Sequence, residues 1–153
     1  MKQRIATTPS QARRLMGRGL LSTTADMSYT KRRGGVLTVI PYVRQASPEA
    51  WPAWSLSALL AFLCQFSFKV RVREWMSPVG IVPQYLNILL KWSIDGQWGM
   101  YLELDRCESK VQEACSQDED PIEAVVQAFE NMFSGEEGKE MLIDFCNTLE
   151  PIK

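Results

Sequence analysis

The chain contains no histidine. The usual proton shuttle near neutral pH is therefore missing, and Ser/His or Cys/His nucleophile pairs are excluded. Cys64, Cys107, Cys115 and Cys146 include no CxxC pair, and no histidine exists to complete a mixed zinc site, so no metal is expected. They read as buried or half-buried thiols in a reducing compartment; only Cys107 and Cys115 are close enough in sequence to pair across a turn. GxGxxG and P-loop motifs are absent, and no cofactor is expected. The longest apolar stretch, Trp54 to Phe68, is interrupted by Ser55, Ser57, Gln65 and Ser67 and falls short of the roughly 20 residues of a spanning helix. No membrane association is expected from it. The N-terminus is basic but lacks an apolar core followed by a small-residue cleavage site, which points to the cytoplasm.

What the chain does have is charge sorted along its length. Between Met1 and Arg44, nine basic residues face Asp26 alone, a net of +8. Between Val111 and Lys153, eleven acids face Lys139 and Lys153, a net of −9. The overall −1 conceals this polarity, and each end calls for a partner of opposite sign. That partner is expected to be the chain's own other end, docked within one subunit or between two. With 153 residues, 46% of them hydrophobic, the chain reads as one globular domain over 1–153, with a basic part (1–44) and an acidic helical part (118–150).

Local patterns predict the elements. Thr8-Pro9-Ser10-Gln11 is a helix start, with Ala12, Leu15 and Met16 inward, Arg13, Arg14 and Arg18 outward, and Gly17 or Gly19 as terminator. Ser22 to Met27 reads as a turn or short helical connection. An exposed loop, Lys31 to Gly35, precedes a strand from Val36 to Ile40, and Ser47 to Pro52 reads as a connection. Ser55 caps a helix whose Leu56, Leu59, Leu60 and Leu63 share a face, with Trp51 and Trp54 plugging its start. Phe66 to Arg73 alternates as a strand does, leaving Lys69, Arg71 and Arg73 on its polar face. Pro78 and Pro83 bracket a loop before a second alternating run, Leu86 to Ile94.

Asp95-Gly96 then marks a hairpin. A two-residue turn would split the apolar residues between faces. A three-residue loop, Ile94-Asp95-Gly96, with Gly96 left-handed, opposes Trp92 to Trp98, Leu90 to Met100 and Ile88 to Leu102 in one buried stripe. Asp105 to Gln117 fits either a helix or a turn returning to a short strand near Val111 to Cys115. Asp118-Glu119-Asp120 reads as a solvated helix cap rather than a cation site. It leads into a Pro121 helix with Ile122, Val125, Val126, Phe129, Met132 and Phe133 buried. A last helix opens at Ser134-Gly135 and buries Met141, Leu142, Phe145 and Leu149. The expected class is α+β: an antiparallel sheet of about four strands, with helices packed on one face.

Ile5-Ala6-Thr7-Thr8, Gln11, Leu15, Thr24-Ala25-Asp26-Met27 and Pro52-Ala53-Trp54-Ser55-Leu56-Ser57-Ala58-Leu59-Leu60 together resemble a family of short proteins from prophages and mobile elements of gut anaerobes. The resemblance extends over most of the chain, Asp120 to Ala124 matching a Pro-led helix. It implies phage or mobile-element ancestry and carries over no activity and no functional residues.

The sequence thus favours a non-enzymatic accessory protein that binds another protein or itself. Its alternative is a nucleic-acid-binding protein that uses the basic part. Candidate contact residues are Arg13, Arg14, Arg18, Lys31, Arg32, Arg33, Trp51 and Trp54.

Overall fold

A computed structural model describes residues 4–31, 34–35, 37–40, 51–72, 75–77, 80–82, 84–106 and 109–148. The chain is laid out as two compact units, Met1–Leu59 with Phe133–Lys153, and Leu60–Met132.

The first unit begins with α1, Pro9–Gly17, whose capping box forms as its sequence predicts. The Gln11 amide donates to Thr8 Oγ1 at 3.2 Å, and the Thr8 amide donates to Gln11 Oε1 at 2.8 Å. Gly19 terminates the helix region with φ +104°, and a Cβ there would lie 2.9 Å from Ile143 Cγ1 and from the Lys139 carbonyl oxygen. Those atoms belong to α4, Gly135–Thr148, so only glycine lets the end of α1 approach α4 this closely. After a 3-10 turn, Ser22–Thr24, come β1 (Met27–Lys31), β2 (Leu37–Ile40) and β3 (Trp51–Ala53) in an antiparallel sheet of order β2-β1-β3. Neither β1 nor β3 is signalled by periodicity. Pro52 was expected in a connection, yet it sits in β3, an edge strand, where the amide it lacks need not join a ladder. Val36, Pro41 and Leu149 lie outside the described residues.

The longest helix, α2, runs from Leu56 to Val72 and corrects one expectation. The alternation of Phe66 to Arg73 predicts a strand, but helix continues through Val72; Arg73 lies outside the described residues. Leu59, Phe62, Leu63 and Phe66 are all buried, which carries the helical spacing of Leu59 and Leu63 on into the alternating stretch. No Gly or Pro interrupts 56–72, so a helix capped at Ser55 propagates where a strand would have to nucleate afresh.

In the second unit, β4 (Trp75–Ser77) and β5 (Gly80–Val82) form a two-stranded sheet, so the stretch between Pro78 and Pro83 expected as a loop contains a strand, β5, that pairs with β4 just before it. β6 (Gln84–Trp92), β7 (Trp98–Arg106) and β8 (Ser109–Asp118) form an antiparallel sheet of that order. The strand reading of Asp105 to Gln117 is therefore the correct one, and it is longer than expected. The strands divide among these sheets rather than joining a single sheet of about four, while the α+β class holds.

The β6-β7 register pairs Trp92 with Trp98, Leu90 with Met100 and Ile88 with Leu102. Ser93 donates to the Gln97 carbonyl at 2.8 Å and Gly96 adopts φ +75°, the expected three-residue loop. The tryptophan rings meet edge to face at 5.2 Å between centroids. The stripe is buried only in part. Met100 and Leu102 lie under α3 (Pro121–Met132), which packs on β7 and β8, whereas Trp92 on β6 remains 52% exposed. All six residues expected on the inner face of the Pro121 helix and just beyond it are buried.

Cys146 is buried in the first unit, while Cys64 and Cys115 are exposed, against the expectation of buried or half-buried thiols; Cys107 lies outside the described residues. Cys64 occupies the outer side of α2, and Cys115 the face of β8 away from α3. Burial pushes the Cys146 thiol above its ordinary range, and a hydrogen bond with the Leu21 backbone offsets this only in part. Because the thiolate is the nucleophile, iodoacetamide at neutral pH is expected to label Cys64 and Cys115 in the folded protein and Cys146 only after denaturation. Peptide mass spectrometry decides it, and equal labelling of Cys146 and Cys64 would refute the placement.

Candidate interaction surface

The surface rests on a hydrogen-bonded clasp that joins three separate stretches of the first unit. Thr7 donates its amide to the Trp54 carbonyl at 2.9 Å, and the Trp54 amide donates to Thr7 Oγ1 at 3.0 Å. The Trp54 indole donates to Thr24 Oγ1 at 3.0 Å, and that hydroxyl donates to the Leu21 carbonyl at 2.7 Å. Asp26, the lone acid of the basic part, takes the Ser55 amide on Oδ1 at 2.8 Å and the Ser55 hydroxyl on Oδ2 at 2.6 Å. Ser55 Oγ in turn accepts the Ala58 amide at 3.0 Å and so caps α2.

The clasp positions β3 beside β1. Residues opposite one another in a sheet share a face, so Trp51, Tyr29 and Val39 form one row and Lys31 and Leu37 the next. This face is open toward its Lys31 end, where Lys31, Leu37 and Trp51 are exposed. Ser28, on the opposite face, is buried. Burial pushes the Tyr29 phenol above its ordinary value, and the Arg4 guanidinium pulls it part of the way back. Arg4 is itself exposed, so the face combines two aromatic rings with two cations.

Of the residues singled out from sequence, Lys31 and Trp51 come together around Tyr29. Trp54 is fully enclosed and serves the core, as its plug reading predicts, which removes it from the surface. Arg13 is exposed and Arg14 and Arg18 are half-buried on or just beyond α1, a different element from the sheet. Arg32 and Arg33 lie outside the described residues. Tyr29 and Arg4 were not foreseen: strand pairing places the first, and nothing local in the sequence marks the second.

Asp120 Oδ1 accepts the Ile122 amide at 3.0 Å and Asp118 Oδ1 accepts the Asp120 amide at 2.8 Å, so the acidic run caps α3. Among the described residues no three Cys, Asp or Glu side chains converge as metal ligands. Among them, too, no helix is long and apolar enough to cross a membrane. An open depression of about 620 Å³ lies on the β6-β7-β8 sheet, lined by Leu89, Lys91, Gly99, Tyr101, Cys115 and Gln117. No family model matches the chain, and neither a curated protein nor a solved structure is significantly similar to it.

Proposed function

We propose that the protein is a non-enzymatic interaction module, an accessory protein of a phage or mobile element acting in the cytoplasm, that binds an acidic protein surface through the Trp51–Tyr29–Lys31 face. The observation that carries this reading is Trp51, a tryptophan 42% exposed on a sheet face flanked by cations. Exposed tryptophan and positive charge are typical anchors of protein contacts. The sequence pI of about 5.6 argues against a nucleic-acid protein that works by bulk charge.

A second reading is favoured by the same face, because aromatic rings beside cations are also how proteins stack single-stranded nucleic acid. The test places a photo-crosslinking residue at position 51 and follows adducts in cells of the native host. The protein-binding reading expects a discrete protein adduct that Lys31→Glu abolishes, together with weak, salt-insensitive binding of a fluorescent oligothymidine. Oligothymidine binding that falls steeply with salt, and that Trp51→Ala weakens by about 1–3 kcal/mol, would transfer the function to nucleic acid.

A further inference from the structure

The β6-β7-β8 sheet has two outer strands, and they are not alike. β8 carries Lys110, Glu113 and Asp118, and its pairing with β7 shifts register at Leu104/Asp105. Charges and irregularities of this kind discourage edge-to-edge association. β6 has no proline, pairs with β7 in unbroken register over nine residues, and bears a single charge, Lys91. Leu89 is 50% exposed on one face of β6 and Trp92 52% exposed on the other, and Ile94 is exposed in the turn that follows.

Backbone parity shows what this edge offers. Ser93 donates to Gln97, which makes that pair hydrogen-bonded. In an antiparallel ladder such pairs alternate, so Lys91–Gly99 and Leu89–Tyr101 are also bonded to each other. The amides and carbonyls of Ile88, Leu90 and Trp92 therefore point away from β7, toward the open side. These three residues also lie on the sheet face that buries Met100 and Leu102 under α3.

We infer that this edge is the contact for a second copy of the same chain, β6 pairing antiparallel with β6 about a twofold axis at Leu90. The segment is its own complement in that register. Leu90 opposes Leu90, and Ile88 opposes Trp92, so every outward amide and carbonyl from Ile88 to Trp92 finds a partner. Lys91 opposes Leu89, so the only cation of the strand meets an apolar side chain along which its stem can lie, and like charges do not face each other. The contact is isologous and consumes both β6 edges, so it closes as a dimer, whereas pairing β6 with β8 would leave edges free to propagate. An unrelated strand would satisfy the same backbone groups, but the placement of Lys91 requires no complementary charge from a partner, which favours self-pairing.

Analytical ultracentrifugation of the full chain from micromolar to millimolar concentration tests this. The unaltered protein is expected to sediment as a dimer at the upper end. Leu90→Pro removes an amide that faces away from β7, leaves the β6-β7 ladder intact and is expected to yield a monomer. Leu89→Lys, at an exposed position, sets a cation opposite Lys91 of the other copy. It is expected to raise the dimer dissociation constant about tenfold or more at low salt, with recovery as salt screens the repulsion. Near-ultraviolet circular dichroism of the Trp92–Trp98 pair reports whether each variant is folded; should Leu90→Pro fail to fold, Leu89→Lys decides alone. A chain that stays monomeric throughout would overturn the proposal, as would a dimer indifferent to Leu89→Lys.

Discussion

Trp54→Ala is expected to lower stability by about 3–5 kcal/mol, the usual cost of removing a large buried aromatic side chain. Set against the ~5–15 kcal/mol that holds a typical domain folded, this removes a large share of the margin of the first unit and is expected to lower its denaturation midpoint markedly. The cost arises because Trp54 is fully enclosed and because its indole is the partner of Thr24 Oγ1. Trp54→Phe separates the two contributions: most of the volume is kept, the indole donor is lost, and about 1–2 kcal/mol is expected. Trp51→Ala, three residues away but 42% exposed, is the control and is expected to change stability by less than about 1 kcal/mol. Urea denaturation followed by circular dichroism measures all three. A Trp54→Ala protein with an unaltered midpoint would refute the central place given to this residue.

In the second unit the corresponding prediction is Phe129→Ala, again with an expected loss of about 3–5 kcal/mol. Phe129 is fully buried on α3, and its ring meets that of Phe62 on α2 with centroids 5.9 Å apart and planes inclined at 36°. Tilted aromatic pairs contribute about 0.5–1.5 kcal/mol beyond the area they bury, so a double-mutant cycle with Phe62→Ala is expected to return a coupling of that size. Strictly additive single substitutions would show that the two rings merely share a core.

Features fixed within a few residues were readable in the sequence. Thr8, Ser55 and Asp120 each announce a helix because a cap and the amides it accepts lie in the same turn. Parity alone decided the hairpin, since a one-residue change of loop length moves every apolar side chain to the other face. The same rule misled at Phe66 to Arg73, where alternation coincided with a helix already under way and without a breaker. β3 was not legible because it is three residues long and its partner β1 is remote in sequence, and β1 because Met27 to Lys31 shows no sustained apolar alternation, although its partner β2 follows closely. The candidate surface likewise depends on remote partners: the contacts of Trp54 with Thr7 and Thr24 and of Ser55 with Asp26 span 47, 30 and 29 residues. Charge marks Lys31 and aromatic content marks Trp51 in the sequence, but only the β1-β3 register brings Trp51 opposite Tyr29, two residues from Lys31 on the same strand.

The first unit is assembled from the two ends of the chain, with the whole second unit inserted between them. On the ribosome, at about 5–20 residues per second, the segment up to Leu59 emerges on the order of 4–20 s before α4 does. Throughout that interval the turn at Gly19 to Leu21 lacks the helix that supplies Lys139, Ile143 and Cys146 to it, although the second unit's own segment is already complete. A premature stop within α4 is therefore felt at a turn more than a hundred residues upstream of it.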